Sequence, residues 1–214
     1  VSEDLPIFSC LDEADRRLLS SHAVTRLFPK NSVIINEGDT TDTLYIVVSG
    51  RVKAYLSDDQ GKEIILNFHG PGEYFGEMAL FDDAPRSASV VTLEKTRLAI
   101  ISRSDFLNCV GRNPQLALQI IRGLTRRLRT ATENVRSLAL MDVYGRVARL
   151  LLQLAKPENG HLVIREQLTQ QDIADRVGSS REMVSRILKD LKIGGYVMIQ
   201  DRHIVIKERI PPHW

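Results

Sequence analysis

Between residues 24 and 101 the apolar positions come in short runs separated by turn residues. Val33-Ile34-Ile35, Leu44-Tyr45-Ile46-Val47-Val48, Val52-Lys53-Ala54-Tyr55-Leu56, Glu63-Ile64-Ile65-Leu66 and Leu98-Ala99-Ile100-Ile101 are rich in β-branched and aromatic side chains and read as strands. Glu37-Gly38-Asp39, Ser49-Gly50, Asp58-Asp59-Gln60-Gly61 and Gly70-Pro71-Gly72 lie between them and supply turn chemistry. Several short strands at regular spacing predict an antiparallel barrel or jelly roll. Ahead of it, residues 11–19 have helical spacing, with Asp12 as N-cap.

The period then changes. Pro114 suits the first turn of a helix, where its missing N–H costs nothing. Beyond it Ala117, Ile121, Leu124, Leu128, Ala131, Val135 and Leu138 recur at alternating steps of four and three. A seam that narrow predicts a coiled coil and hence a homodimer, with a second face of the helix available to cover the barrel.

From residue 139 the pattern is helical, then strand-like. Residues 140–155 predict one amphipathic helix, terminated by Lys156-Pro157-Glu158-Asn159-Gly160. Thr169 caps a short helix containing Ile173, Ala174 and Val177; Gly178 breaks it, and Ser179 or Ser180 caps the next, with Val184, Ile187, Leu188 and Leu191 buried. Helix, glycine turn, helix is the pattern of a DNA-binding helix-turn-helix. Residues 196–199 and 203–206 flank Gln200-Asp201-Arg202 as a β-hairpin wing. The expected organisation is α+β: a β-barrel domain over residues 1–112, a dimerisation helix and hinge over 113–138, and a winged helix-turn-helix over 139–214.

At 214 residues there is room for two domains, and 43% apolar with 26% charged residues fits a soluble globular chain. No apolar run approaches the ~18 residues of a membrane-spanning helix, and the N-terminus lacks the basic-then-apolar order of a secretory signal. No membrane partner and a cytoplasmic location are therefore expected. The chain begins with Val1 rather than methionine, which leaves room for preceding residues. Net charge is only +2, but Arg122, Arg126, Arg127 and Arg129 crowd one helix, and Arg176, Arg181, Arg186, Lys189 and Lys192 crowd the helix-turn-helix. Phosphate neutralisation needs such local charge rather than a global excess. Cys10 and Cys109 are far apart, the histidines are scattered, and no nucleophile–base pair is visible, so neither a metal site nor an enzyme is expected.

One stretch carries ligand chemistry. In Phe75-Gly76-Glu77-Met78-Ala79-Leu80, followed by Pro85-Arg86-Ser87-Ala88-Ser89-Val90, Gly76 lets the backbone come close to a ligand. A short helical turn from Glu77 points amides at a phosphate. Arg86 adds a charged fork for the same phosphate, and Ser87 a hydroxyl and an N–H. A carboxylate beside an anion makes sense if Glu77 accepts from a sugar hydroxyl and also braces Arg86. Phosphate and sugar together imply a nucleotide.

Residues 75–90 resemble the phosphate-binding cassette of cyclic-nucleotide-binding domains. The order of barrel, long helix and winged helix-turn-helix resembles the cyclic-AMP receptor protein family of bacterial regulators, which includes the fumarate-nitrate type, over residues 5–207. The resemblance implies that Gly76, Glu77, Met78 and Ala79 supply the turn and the ribose contact, and that Arg86 and Ser87 hold the cyclic phosphate. It places Ala131 and Thr132 where the family reaches the base with a Thr-Ser pair. The resemblance puts cyclic AMP first among effectors, but Ala131 cannot hydrogen-bond an adenine amino group, so cyclic GMP, cyclic di-GMP and a barrel that binds no effector stay open beside it. An iron–sulfur sensor would need about four cysteine ligands, and a haem sensor would need a partner for His69.

On the DNA side, arginine pairs with guanine O6 and N7 and glutamate accepts from cytosine N4. Arg181, Glu182 and Arg186 match the family's base-reading positions, which implies near-palindromic double-stranded DNA with TGTGA-like half-sites. Ser185 follows the fumarate-nitrate branch, and Ser180 flanks the reading face. Thr169 and Gln170 are expected on phosphates. RNA polymerase contact is implied by the resemblance. A ligand-binding module without DNA binding, as in kinases or channels with similar barrels, is the rival class.

Overall fold

Apolar runs and turns in the first half of the chain produce eight strands: β1 (Val24–Phe28), β2 (Val33–Ile35), β3 (Thr43–Ser49), β4 (Val52–Ser57), β5 (Glu63–His69), β6 (Tyr74–Phe75), β7 (Ser89–Thr92) and β8 (Thr96–Ser102). They form two four-stranded sheets, ordered β1-β8-β3-β6 and β2-β7-β4-β5. The computed structural model describes residues 13, 17, 21–61, 63–158, 160–200, 203–208, 210 and 211. The expected opening helix and its cap Asp12 fall largely outside these, as do Cys10, Asp201 and Arg202.

The five expected strands are present, each extended by a residue or more except β2. Three others went unread. β1 is exposed along most of its length and pairs only with β8, so no alternation marks it. β6 is two residues long, and β7 lies in what the sequence presents as a ligand loop. Ile35, Val47, Val52, Phe75, Val90 and Leu98 pack as one apolar cluster. Leu44, Ile46, Tyr74, Ala99 and Ile101 pack with the helices that follow: Phe106 and Cys109 of α2 (Arg103–Arg112), and Leu116 and Ile120 of α3 (Pro114–Leu140). Each such fully buried Leu, Ile or Phe contributes roughly 1.5–3 kcal/mol of apolar burial. A four-residue helical turn, α1 (Met78–Phe81), follows β6.

The chain divides into two compact units, Val1–Leu56 with Ile65–Arg129 and Ser57–Ile64 with Thr130–Trp214. The division falls within α3, so the 113–138 segment is one continuous helix whose ends belong to different units. The barrel-facing stripe is Leu116 and Ile120, with Leu124 partly covered. The seam residues Ile121, Leu128 and Val135 are 57%, 68% and 65% exposed in the single chain, and Leu138 is also exposed. The two stripes are adjacent on the helix and meet at Leu124, which belongs to the seam pattern and also packs on the barrel cluster.

The second unit corrects one boundary. Residues 140–155 are not one helix: Leu140 ends α3, and α4 spans Val143–Leu154. Asp142 is extended between them and its side chain accepts from Gly145 N at 2.7 Å, an N-cap that starts a new helix. Arg146 reinforces the break by donating to the Met141 carbonyl at 2.9 Å. The expected terminator at 156–160 also forms a strand: β9 (Lys156–Glu158) pairs with β10 (His161–Ile164). Pro157 is tolerated because β9 is an edge strand.

Two helices and a hairpin complete the unit. In α5 (Gln170–Val177), Thr169 and Asp172 make a reciprocal capping box, and Gly178 ends the helix at φ +62°, where a side chain would be strained. Ser180 caps α6 (Arg181–Ile193) by accepting from Met183 N at 3.2 Å. β11 (Val197–Gln200) and β12 (His203–Ile206) pair antiparallel, with β10 on the other side of β12. Tyr144, Val147, Leu151, Ile173, Val184, Ile187 and Leu191 share one core with Ile204 and Ile206.

Candidate ligand pocket and nucleic-acid interface

Gly76 is the pivot of the barrel site. Its φ is +83°, and a Cβ there would lie 2.7 Å from Arg86 Nη1 and 3.0 Å from the Thr43 carbonyl oxygen. Only glycine combines that backbone angle with that approach. The gap is closed by Arg86, which is 4% exposed and donates from Nη1 to the Gly76 carbonyl at 2.6 Å. Arg86 also donates from Nε to Thr41 Oγ1 at 3.0 Å and from Nη2 to the Thr43 carbonyl at 2.8 Å and Thr43 Oγ1 at 3.3 Å. Burial pulls its pKa below the ordinary guanidinium value, while Tyr45, Asp42, Glu77 and Asp39 act in the opposite direction. A guanidinium has five N–H donors, so these four contacts fix the fork and still leave an N–H for an anion.

Glu77 does not brace Arg86. Its carboxylate is 3% exposed and accepts from Arg127 Nη1 of α3 at 2.5 Å. Arg127 also donates to the Tyr74 carbonyl at 2.5 Å and stacks 4.7 Å over the Tyr74 ring. The correction follows from geometry: Arg86 spends its donors on carbonyls and threonines, so the buried carboxylate needs another cation. Arg127 is a site residue missed in the sequence, where it looks like one member of a solvated arginine run. Its place one step before the exposed seam residue Leu128 was the available signal.

The remaining cassette residues differ in exposure. Met78 and Ala79 form the turn after Glu77, with Ala79 buried and Met78 exposed. Ser87 is exposed, and its hydroxyl lies 3.7 Å from Met78 Sδ. Ala131 and Thr132 are exposed positions of α3 in the second unit.

His69, considered in the sequence only as a haem ligand, is 3% exposed at the end of β5. Burial, aided by the positive charge of Arg127, lowers its pKa from 6.5 to about 3. The unfolded chain therefore takes up a proton near pH 6.5 and the folded chain only near about 3. This part of stability is complete above pH 6.5 and is lost as pH falls towards 3. Between pH 7.5 and pH 5 the loss is about 2 kcal/mol. Denaturant midpoints at the two pH values should show it, and a His69→Leu variant should lose about that much of the pH dependence. An unchanged pH dependence in the variant would refute the assignment.

On α6, Val184, Ile187, Leu188 and Leu191 are buried, which turns the opposite face outward. Arg181, Glu182, Arg186 and Lys189 are exposed on it, and Ser185 is half-buried beside them. Both guanidinium groups lie on this exposed face. Ser180 is exposed at the cap. Thr169 is less available than expected: its hydroxyl donates to Asp172 Oδ2 at 2.6 Å and accepts from Asp172 N at 3.0 Å. Gln170 begins α5, half-buried. No group of three or more His, Cys, Asp or Glu among the described residues is arranged to hold a metal ion, and no helix among them is long and apolar enough to cross a membrane.

Comparison with known proteins follows the same division. Residues 25–113 match the family described as cyclic nucleotide-binding domain, and residues 145–209 match the Crp-like helix-turn-helix domain. The chain is 36% identical over 185 residues to the CRP-like cAMP-activated global transcriptional regulator of Mycobacterium tuberculosis, covering 85% of this chain and 83% of that protein. It is 35% identical over 190 residues to the cAMP-activated global transcriptional regulator CRP of Salmonella typhimurium, covering 87% and 90%. Among solved structures it is similar to the c-di-GMP-responsive global regulator CLP of Xanthomonas campestris, with a TM-score of 0.80, 28% identity and coverage of 92% and 100%. It is also similar to the Thermus thermophilus catabolite activator protein, with a TM-score of 0.57, 35% identity and coverage of 95% and 94%.

Proposed function

The chain belongs to the CRP-like family of ligand-responsive, DNA-binding transcriptional regulators, and from that premise we propose that it is a homodimer switched by a cyclic purine mononucleotide, with cyclic AMP first. The observation that carries this reading is the fixed guanidinium of Arg86 beside Gly76, with a buried Glu77 next to it. Arg86 and Ser87 take the cyclic phosphate, and Glu77 accepts from the ribose hydroxyl. Thr132 meets the base, Ala131 beside it contributing no hydroxyl. Cyclic di-GMP is the second reading, favoured by the likeness to CLP.

The switch runs through α3. Arg127 ties the helix to Glu77, and Leu128 next to it faces the seam. A ligand that competes for Glu77 alters that tie and so favours one packing of two seams over another. Allostery of this kind requires differential ligand affinity for the two states. Two α6 helices would then present Arg181, Glu182 and Arg186 to half-sites about 34 Å apart, with TGTGA-like sequence. RNA polymerase would be the downstream partner, and the compartment the cytoplasm.

Calorimetric titration with cyclic AMP, cyclic GMP and cyclic di-GMP, with and without palindromic operator DNA, tests this. Equal DNA affinity with and without each ligand would remove the switch. An Arg181→Ala variant should lose roughly 1–3 kcal/mol of specific binding, about 5- to 150-fold, while binding to unrelated DNA changes little. A loss of the same size on both DNAs would make Arg181 a phosphate contact instead.

A further inference from the structure

Phosphate and ribose contacts cannot tell one base from another, so base choice needs a polar group of its own. The buried polar side chains of the first unit are His69, Glu77, Arg86, Thr92 and Thr96. Four are committed. Glu77 is held by Arg127, and Arg86 by Gly76, Thr41 and Thr43. Thr92 Oγ1 donates to the Pro29 carbonyl, and Thr96 Oγ1 to the carbonyls of Glu94 and Arg51. His69 remains, and its Nδ1 is buried with no hydrogen-bond partner among the described residues.

Its position matches the need. The His69 ring lies 5.6 Å from the Phe75 ring at a tilt of 33°, and Phe75 stacks on Tyr45 at 5.1 Å. Phe75 belongs to the barrel cluster of Val47, Val52 and Leu98, and it directly precedes Gly76, whose carbonyl holds Arg86. The imidazole therefore stands with the barrel interior, next to the phosphate loop. Tyr74 Oη is also buried and unpartnered, but Tyr74 alternates with Phe75 on β6 and packs against Gly123 of α3 on the opposite face. An orphaned buried nitrogen is costly, and a ligand that completes it explains why it is kept.

We propose that His69 is a specificity-determining residue of the ligand site, its Nδ1 hydrogen-bonding an edge of the purine base of a cyclic mononucleotide. The proposal rests on the cyclic-nucleotide reading above. Burial keeps the ring neutral across the working pH range, so it offers one N–H and one lone pair. Nδ1 supplies one of the two according to tautomer, and a base edge carries both a donor and an acceptor to meet it. The neutral ring does not suit the phosphate, for which Arg86 is already placed.

The test is titration of the full wild-type chain and of His69→Leu and His69→Gln with cyclic AMP, cyclic GMP and cyclic CMP, alongside ¹⁵N NMR of the wild-type imidazole. The expected result is that His69→Leu lowers affinity for the preferred purine about three- to tenfold relative to cyclic CMP, the worth of one hydrogen bond, with partial recovery in His69→Gln. The His69 Nδ1 resonance should move on saturation with that purine. Uniform loss for all three nucleotides, no loss, or a stationary resonance would overturn the proposal while leaving the cyclic-nucleotide reading intact. Wild-type protein that binds none of the three would overturn that reading and this proposal together.

Discussion

An Arg86→Leu variant is expected to bind cyclic nucleotides about 10- to 150-fold more weakly than the wild type. A charge-assisted hydrogen bond to a phosphate is worth about 1.5–3 kcal/mol, and one Arg86 N–H remains for it once Thr41, Thr43 and Gly76 are served. The variant will also be less stable, because the carbonyls of Gly76 and Thr43 lose their donor in a buried setting. Arg86→Lys separates the two effects. It keeps the charge but not the fork, so it should bind with intermediate affinity. Calorimetry gives the affinities, and a denaturant midpoint shows whether the fold survives. Wild-type affinity in a folded Arg86→Leu protein would move the phosphate site away from the cassette.

The second large effect concerns assembly. Replacing both Leu128 and Val135 by glutamate should convert a dimer to monomers and remove high-affinity binding to a palindromic site. The two side chains are 68% and 65% exposed in the single chain, and each recurs in the partner of a two-fold dimer. By area, burying their exposed two-thirds in a seam is worth roughly 4–8 kcal/mol for the four side chains. Like charges facing one another would add to the loss. Sedimentation equilibrium measures the state, and fluorescence anisotropy on full and half operators measures the consequence. The variant should bind the full site no better than the half-site. A stable dimer in the double variant would place the interface elsewhere, because the barrel cluster takes Leu116 and Ile120 rather than these two residues.

The two ends of the chain were legible to different depths. Arg181, Glu182 and Arg186 follow directly from sequence because a helix face is a local object: the buried set Val184, Ile187, Leu188 and Leu191 fixes which way the others point. The caps Thr169 and Ser180 are local in the same sense, although the capping box that occupies the Thr169 hydroxyl becomes visible only with Asp172 in place. Asp142 shows the limit, since an apolar period running across it reads as one helix until its side chain is seen closing the first turn of the next.

In the barrel the residue types were readable and their partners were not. Gly76, Glu77 and Arg86 announce phosphate and sugar by composition and spacing. That Glu77 is bound by Arg127, fifty residues on, and that His69 lies against Phe75 with an orphaned nitrogen, depend on strands and a helix meeting across long sequence separations. By itself the sequence determined the order of barrel, long helix and helix-turn-helix and the outward face of α6, because helix and strand periods and caps are set by neighbours within a few residues. Only the tertiary structure decided which cation meets which carboxylate and which buried nitrogen goes without a partner among the described residues, because burial and pairing are properties of space rather than of chain order.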